Sequence, residues 1–147
     1  MIKRIRCAMK QRDINYRLFD TIEFDDTYIG DYIVGKKRGR GTEKSKVFVA
    51  VSIDKNGYPK YLKMQTTDNI QQRSVRKFAQ NIQAEATIIS DSYRSYIPAL
   101  KDYKHEHGVY NPDTGVLHWL HTMIGNAKAF ILGTYHGLPK KNLQEYP

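Results

Sequence analysis

Cysteine is nearly absent from this chain of 147 residues, with Cys7 the only one. A disulfide within the chain is therefore excluded, and so is a zinc ribbon built on paired cysteines. Long apolar runs are missing too. No stretch approaches the roughly 20 residues that a membrane-spanning helix needs. The basic start, Met1-Ile2-Lys3-Arg4-Ile5-Arg6, lacks the apolar segment of a secretory signal. A cytoplasmic location is the default that follows. Acidic residues are scarce: 15 Asp and Glu stand against 24 Lys and Arg, a formal net charge of +9. One acid-free stretch is long, since neither Asp nor Glu occurs between Asp113 and Glu145.

Against that basic background two acidic islands stand out. They are Ile22-Glu23-Phe24-Asp25-Asp26-Thr27-Tyr28 and Thr87-Ile88-Ile89-Ser90-Asp91-Ser92-Tyr93. A basic protein attracts polyanions. Carboxylates set into a basic surface repel phosphate unless a divalent cation lies between them, so the combination points to metal-dependent chemistry on nucleic acid. The basic residues cluster in Lys36-Lys37-Arg38-Gly39-Arg40-Gly41-Thr42-Glu43-Lys44-Ser45-Lys46, where glycines let the backbone approach a phosphate closely. As a charge run alone, this would be only a solvated loop.

The pattern along the chain is that of one mixed α/β domain. Residues 1–19 read as a basic arm or short helix. Residues 21–29 alternate as a strand, with Ile22, Phe24 and Tyr28 on one face and Glu23, Asp25 and Thr27 on the other. Residues 47–53 form a nearly continuous apolar run, a buried central strand. Asn56-Gly57 signals a hairpin into a returning strand at 61–66. Asp68 with Gln71 resembles a capping box opening a helix. Residues 86–90 form a short buried strand ending at Asp91, and 93–100 a short helix interrupted near Pro98. Residues 101–117 read as polar connection, with a turn at Asn111-Pro112-Asp113. A last helix over 119–132 carries the apolar stripe Leu120, Met123, Ile124, Ala127 and Ile131, with Gly133 as its stop. The expected sheet is a three-stranded antiparallel meander plus a parallel strand, flanked by helices.

In sequence, Ile22 to Gly30 with the following Gly39-Arg40-Gly41 loop resembles the first catalytic strand of a family of bacterial insertion-sequence transposases. Ser90-Asp91-Ser92-Tyr93 followed by Tyr96 is similar to the family's second motif. Leu120-His121-Thr122, Asn126-Ala127-Lys128 and Gly133-Thr134-Tyr135-His136-Gly137 are similar to its third. The motifs fall in order and cover nearly the whole chain. The resemblance implies a ribonuclease H-like fold and a DDE-type active site, in some members with Asn replacing the third acid. It implies divalent metal, Mg²⁺ or Mn²⁺, and action on DNA, nicking transposon ends and joining them to target DNA as a possible homo-oligomer. It further implies a single catalytic domain over residues 1–147, without the N-terminal zinc-binding and helix-turn-helix region or the C-terminal extension that members usually carry.

Carried onto this sequence, the resemblance names Asp25, Asp91 and Asn126 as catalytic and metal-binding. Alternation agrees on Asp25 over Asp26, since Asp26 shares its face with the apolar Ile22 and Phe24. Asp91 also suits an N-cap. Asn126 can ligate Mg²⁺ through its amide oxygen but brings no charge. It sits about 100° from the centre of the last helix's stripe, on Trp119's side, with Lys128 on the opposite flank. Lys36, Lys37, Arg38, Arg40, Lys44, Lys128 and His121 are the candidate DNA contacts. The five histidines lack the spacing of a structural zinc site, and His118 with His121 would bind a metal only weakly. Two further readings stay open: a non-catalytic or degenerate nucleic-acid-binding fragment, and a ribonuclease H-like nuclease or resolvase.

Overall fold

The structure is a computed structural model that describes residues 2–30, 43–108, 112–135 and 143. A helix α1 (Ile2–Ile14) leads into three long strands, β1 (Thr21–Ile29), β2 (Ser45–Ile53) and β3 (Pro59–Thr67). Helix α2 (Gln72–Ala79), strand β4 (Thr87–Ser90), helix α3 (Tyr96–Ala99), strand β5 (Lys104–His107), a 3₁₀ turn at Pro112–Thr114 and helix α4 (His118–Tyr135) complete it. The five strands form one sheet in the order β3-β2-β1-β4-β5. β1, β2 and β3 pair antiparallel, whereas β4 runs parallel to both β1 and β5. The meander and the parallel fourth strand are as expected.

The fifth strand is not. Lys104-His105-Glu106-His107 pairs with β4 from Thr87↔Lys104 to Ser90↔His107. Its sequence offers no apolar run, because it is an edge strand whose side chains are largely exposed. The Asn-Gly signal is realised differently from a two-residue turn. The Gly57 amide donates to the Asp54 carbonyl (3.0 Å), Gly57 takes φ +83°, and Asp54 Oδ1 accepts from the Asn56 and Tyr58 amides at 2.8 and 3.0 Å. A turn followed by a left-handed glycine is the bulged form of hairpin. The entry to α2 is organised by Asn69 rather than Asp68: its Oδ1 accepts from the Gln71 amide (3.1 Å) and the Ser74 hydroxyl (2.7 Å). α4 runs through Gly133 to Tyr135, so that glycine does not end it.

Period-2 alternation divides the core into two layers. On one face Ile22, Phe24, Phe48, Ala50 and Ile88 pack with Val75, Phe78, Tyr96 and Leu100 from α2 and the α3 segment. On the other, Ile29, Val47, Val49, Val51 and Ile53 pack with Leu117, Leu120 and Ile124 under α4. Phe24 is the hub of the first layer. Its ring lies 5.6 Å from Phe48, 5.4 Å from Phe78 and 5.0 Å from Tyr96, the last edge-on. Phe24→Ala leaves a cavity bounded by three rings that cannot all collapse inward. A loss of about 3–5 kcal/mol is expected, read as a lower urea midpoint at unchanged m-value.

Candidate active site

Asp25 lies in the middle of β1, and Asp91 directly follows the last residue of β4. β1 and β4 run parallel and stay in register through Phe24↔Ser90. Asp25 and Asp91 are the residues that follow this last pair, on chain segments that neighbour each other at about the 4.8 Å strand spacing. Tyr96 shows independently that the acids converge. Its buried hydroxyl lies in the field of Asp26, Asp25 and Asp91 together, and burial first, then these charges, push its ionisation far above the ordinary tyrosine range. Asp91 does not cap α3. Its Oδ1 accepts from the Tyr93 amide at 3.0 Å, closing a turn within residues 91–93, and α3 starts after Ser95.

Asp25 and Asp26 point to different layers. Glu23, Asp25 and Thr27 share the α4 face, whereas Asp26 follows Ile22 and Phe24 toward α3. There the Tyr96 hydroxyl donates to Asp26 Oδ1. The Asp26 amide donates to Asp25 Oδ1 at 2.7 Å, which ties the Asp25 carboxylate to the backbone that carries it.

α4 is anchored over this edge by a residue that sequence reading passed over. Glu23 is buried, and its Oε2 accepts from the Leu120 amide at 2.6 Å. The Trp119 amide and His118 also favour its charged form, yet burial dominates and raises its carboxyl above the usual range. A carboxylate on the exposed amides of a helix N-terminus satisfies donors that the helix itself leaves open. The signal was present in the alternation, which put Glu23 on the face of Asp25, but nothing local showed which helix it meets, 97 residues away.

That anchor sets the direction and rotation of α4. The Trp119 indole donates to the Gly57 carbonyl at 2.8 Å, so this flank faces the β2–β3 hairpin. Further along, Lys128 and Lys44, just before β2, lie within each other's field. α4 therefore runs in the direction of β1, and Leu120 and Ile124 face the sheet. At 3.6 residues per turn, His121 lies roughly 60° from Ile124, on the flank toward β1 and β4. Asn126 lies roughly 160° from Ile124 the other way, within about 20° of Trp119. Asn126 is exposed. Asn126 thus lies on the Trp119 flank of α4, the flank expected of it, and His121 lies on the opposite flank. Burial, then Lys128, hold the His121 imidazole below the ordinary histidine range.

Lys128 is held below the ordinary lysine range by desolvation and then by Lys44. Lys36, Lys37, Arg38 and Arg40 lie outside the described residues. Among the described residues, no group of three or more His, Cys, Asp or Glu side chains is arranged to hold a metal ion. The site offers a carboxylate pair, which suits Mg²⁺ or Mn²⁺, since a hard cation is held by one or two protein oxygens with water and phosphate completing its shell.

A mixed five-stranded sheet with an antiparallel meander, parallel strands at one side and helices on both faces defines the class: a ribonuclease H-like fold of the transposase and integrase kind. The model of the ISXO2-like transposase domain matches residues 17–147, and the chain belongs to that family. No curated protein matches it. Among solved structures it is similar to a simian T-cell lymphotropic virus intasome in complex with PP2A regulatory subunit B56 gamma, with TM-score 0.50 and 10% identity over 87% of this chain and 46% of that one. It also matches the Mos1 strand transfer complex (TM-score 0.43, 14% identity, 86% of this chain and 46% of that one). A third match is the Mos1 mariner paired-end complex with Mn (TM-score 0.43, 15% identity, 85% and 47%). The chain thus spans under half the length of the structures it matches. No described helix is long and apolar enough to cross a membrane.

Glu23→Ala should strand buried amides at the start of α4 and cost about 1–3 kcal/mol. Glu23→Gln, which keeps an acceptor oxygen, should cost less. Thermal unfolding of the two variants beside the parent checks the order; equal losses would mean that the bond to α4 contributes nothing.

Proposed function

We propose that this chain is the catalytic core of a DDE-type transposase, and that it cleaves DNA phosphodiesters at transposon ends and transfers the strands to target DNA. The observation that carries the reading is that Asp25, in the middle of β1, and Asp91, just past the end of the parallel strand β4, both follow the Phe24↔Ser90 pair and both act on the Tyr96 hydroxyl. Asp25 and Asp91 would hold Mg²⁺ or Mn²⁺, which when bound supplies charge neutralisation and activation of the attacking oxygen. The chain's own residues do the rest. Tyr93 N–H and the Asp26 amide hold the two carboxylates in place. Lys44 and Lys128 draw a backbone phosphate toward the acids, the role expected of the basic loop at 36–40 as well. On α4, His121 rather than Asn126 is the side chain offered to the acids as a third donor. The partner is DNA, with assembly of several copies on the transposon ends, in a bacterial cytoplasm.

A neutral third donor has a consequence. Two carboxylates bring two negative charges, and a histidine adds none, so cation binding without DNA is weaker than at a three-acid site. Substrate phosphate then supplies the missing negative oxygen, which couples metal binding to DNA binding.

The test is nicking and strand transfer on DNA carrying the element's ends, with Mg²⁺, Mn²⁺ or excess chelator. Asp25→Asn and Asp91→Asn should each lose more than the ~10–100-fold typical of groups that only support a ligand. DNA binding that is salt-dependent but never followed by cleavage in any metal would overturn the catalytic reading.

A separate comparison decides the third donor. His121→Ala should lower the cleavage rate by at least about tenfold, while Asn126→Ala leaves it within about twofold, as surface changes generally do. The reverse order would return the role to Asn126.

A further inference from the structure

The tandem Asp25-Asp26 presents a problem of choice. Two adjacent carboxylates on one strand carry like charges beside Asp91, and only one of them faces the α4 layer. The buried Tyr96 hydroxyl stands at this branch point. It donates to Asp26 Oδ1, and it makes a second, longer hydrogen bond to Asp25 Oδ1 at 3.4 Å. Tyr96 itself cannot move. It has no exposed surface, its ring stacks edge-on against Phe24 at 5.0 Å and Tyr93 at 5.4 Å, and Phe24 is fixed among Phe48 and Phe78.

From this geometry we propose that Tyr96 is a positioning residue that latches Asp26 to the α3 layer, so that Asp25 alone is presented beside Asp91. The inference rests on the metal-binding reading of Asp25 and Asp91. Its physical basis is the cost of taking a hydrogen-bond donor away from a partly buried carboxylate. With the hydroxyl removed, Asp26 gains by turning toward water or a cation. Its main-chain amide holds Asp25 Oδ1 at 2.7 Å, so a shift of Asp26 displaces the Asp25 carboxylate with it. The latch also explains Tyr96 itself: a hydroxyl with no access to water needs an acceptor from the protein, and Asp26 provides it. Nothing in the second acidic motif's sequence shows this role, since Tyr96 lies five residues beyond Asp91 and meets β1 only in the folded sheet.

The experiment measures Mn²⁺ binding to the DNA-free protein, by calorimetry or by loss of the free-ion electron paramagnetic resonance signal, so the readout is independent of turnover. Tyr96→Phe keeps the ring and its packing and removes only the hydroxyl. It should weaken Mn²⁺ binding by about 10–100-fold, the range for groups that orient a metal ligand. Asp26→Ala should leave binding within about threefold, and adding Tyr96→Phe to Asp26→Ala should cost no more than about threefold further, because the latched group is gone. Parent-like Mn²⁺ affinity in Tyr96→Phe, or the full loss persisting in the Asp26→Ala background, overturns the proposal. Near-UV circular dichroism monitors folding. If Tyr96→Phe does not fold, Asp26→Ala alone decides: retained binding supports the latch, and a loss beyond about tenfold makes Asp26 itself a ligand and overturns it. Asp25→Asn and Asp91→Asn keep the two readings apart. Mn²⁺ binding that survives both sinks the metal site itself; binding abolished in both but unchanged in Tyr96→Phe sinks only the latch.

Discussion

The bond from the Leu120 amide to the buried Glu23 carboxylate is the constraint on which the site depends. It joins the start of the last helix to the strand that carries Asp25, two residues before that acid. A helix held at its first turn can still swing or rotate, and two other contacts remove that freedom. Trp119 reaches the hairpin carbonyl of Gly57, and Leu120 and Ile124 sink into the apolar layer of β1 and β2. With position, direction and rotation set, each α4 residue has a defined neighbour. His121 and Lys128 fall on one flank of the helix, and Asn126 on the other. The anchor is also costly, because burial raises the Glu23 carboxyl against its own hydrogen bonds. A buried carboxylate kept at that cost is one whose geometry matters.

The acids themselves are placed by a different means. Parallel pairing of β1 with β4 through Phe24↔Ser90 brings Asp25, in the middle of β1, level with Asp91, just past the end of β4. Each carboxylate is then locked by the backbone next to it: the Asp26 amide for Asp25, the Tyr93 amide for Asp91. Tyr96 adds a bond from the opposite layer. The two layers of the core therefore meet at residues 25 and 26, where alternate side chains of one strand are claimed by α4 on one face and α3 on the other.

Much of the fold was legible in the amino-acid pattern. Residues 21–29 alternate like a strand and form β1 with those bounds; the apolar run at 47–53 lies inside β2; the stripe from Leu120 to Ile131 marks α4. What was missed was missed for identifiable reasons. β5 has no apolar face, because an edge strand with exposed side chains needs none. Asn69 and Asp68 are interchangeable as caps to a reader of sequence, and only the backbone path chose between them. The left-handed Gly57 was signalled by Asn-Gly, but the hydrogen bonds of Asp54 decided which hairpin it closes.

By itself the sequence determined which carboxylate of the Asp25-Asp26 pair shares a face with Glu23, because side chains in a strand alternate and Ile22 and Phe24 must go to the core. It also determined that the last helix brings no acid, since none exists between Asp113 and Glu145. It could not determine which residue of that helix stands by Asp25. A helical pattern fixes angles within the helix, not the rotation of the helix against its neighbours. That rotation is set by Glu23, Gly57 and the apolar floor of β1 and β2, which are distant in the chain and adjacent only after folding. The same holds for Tyr96, whose hydroxyl meets Asp26 across 70 residues. Local periodicity is written in the sequence, and contacts across the fold decide the site.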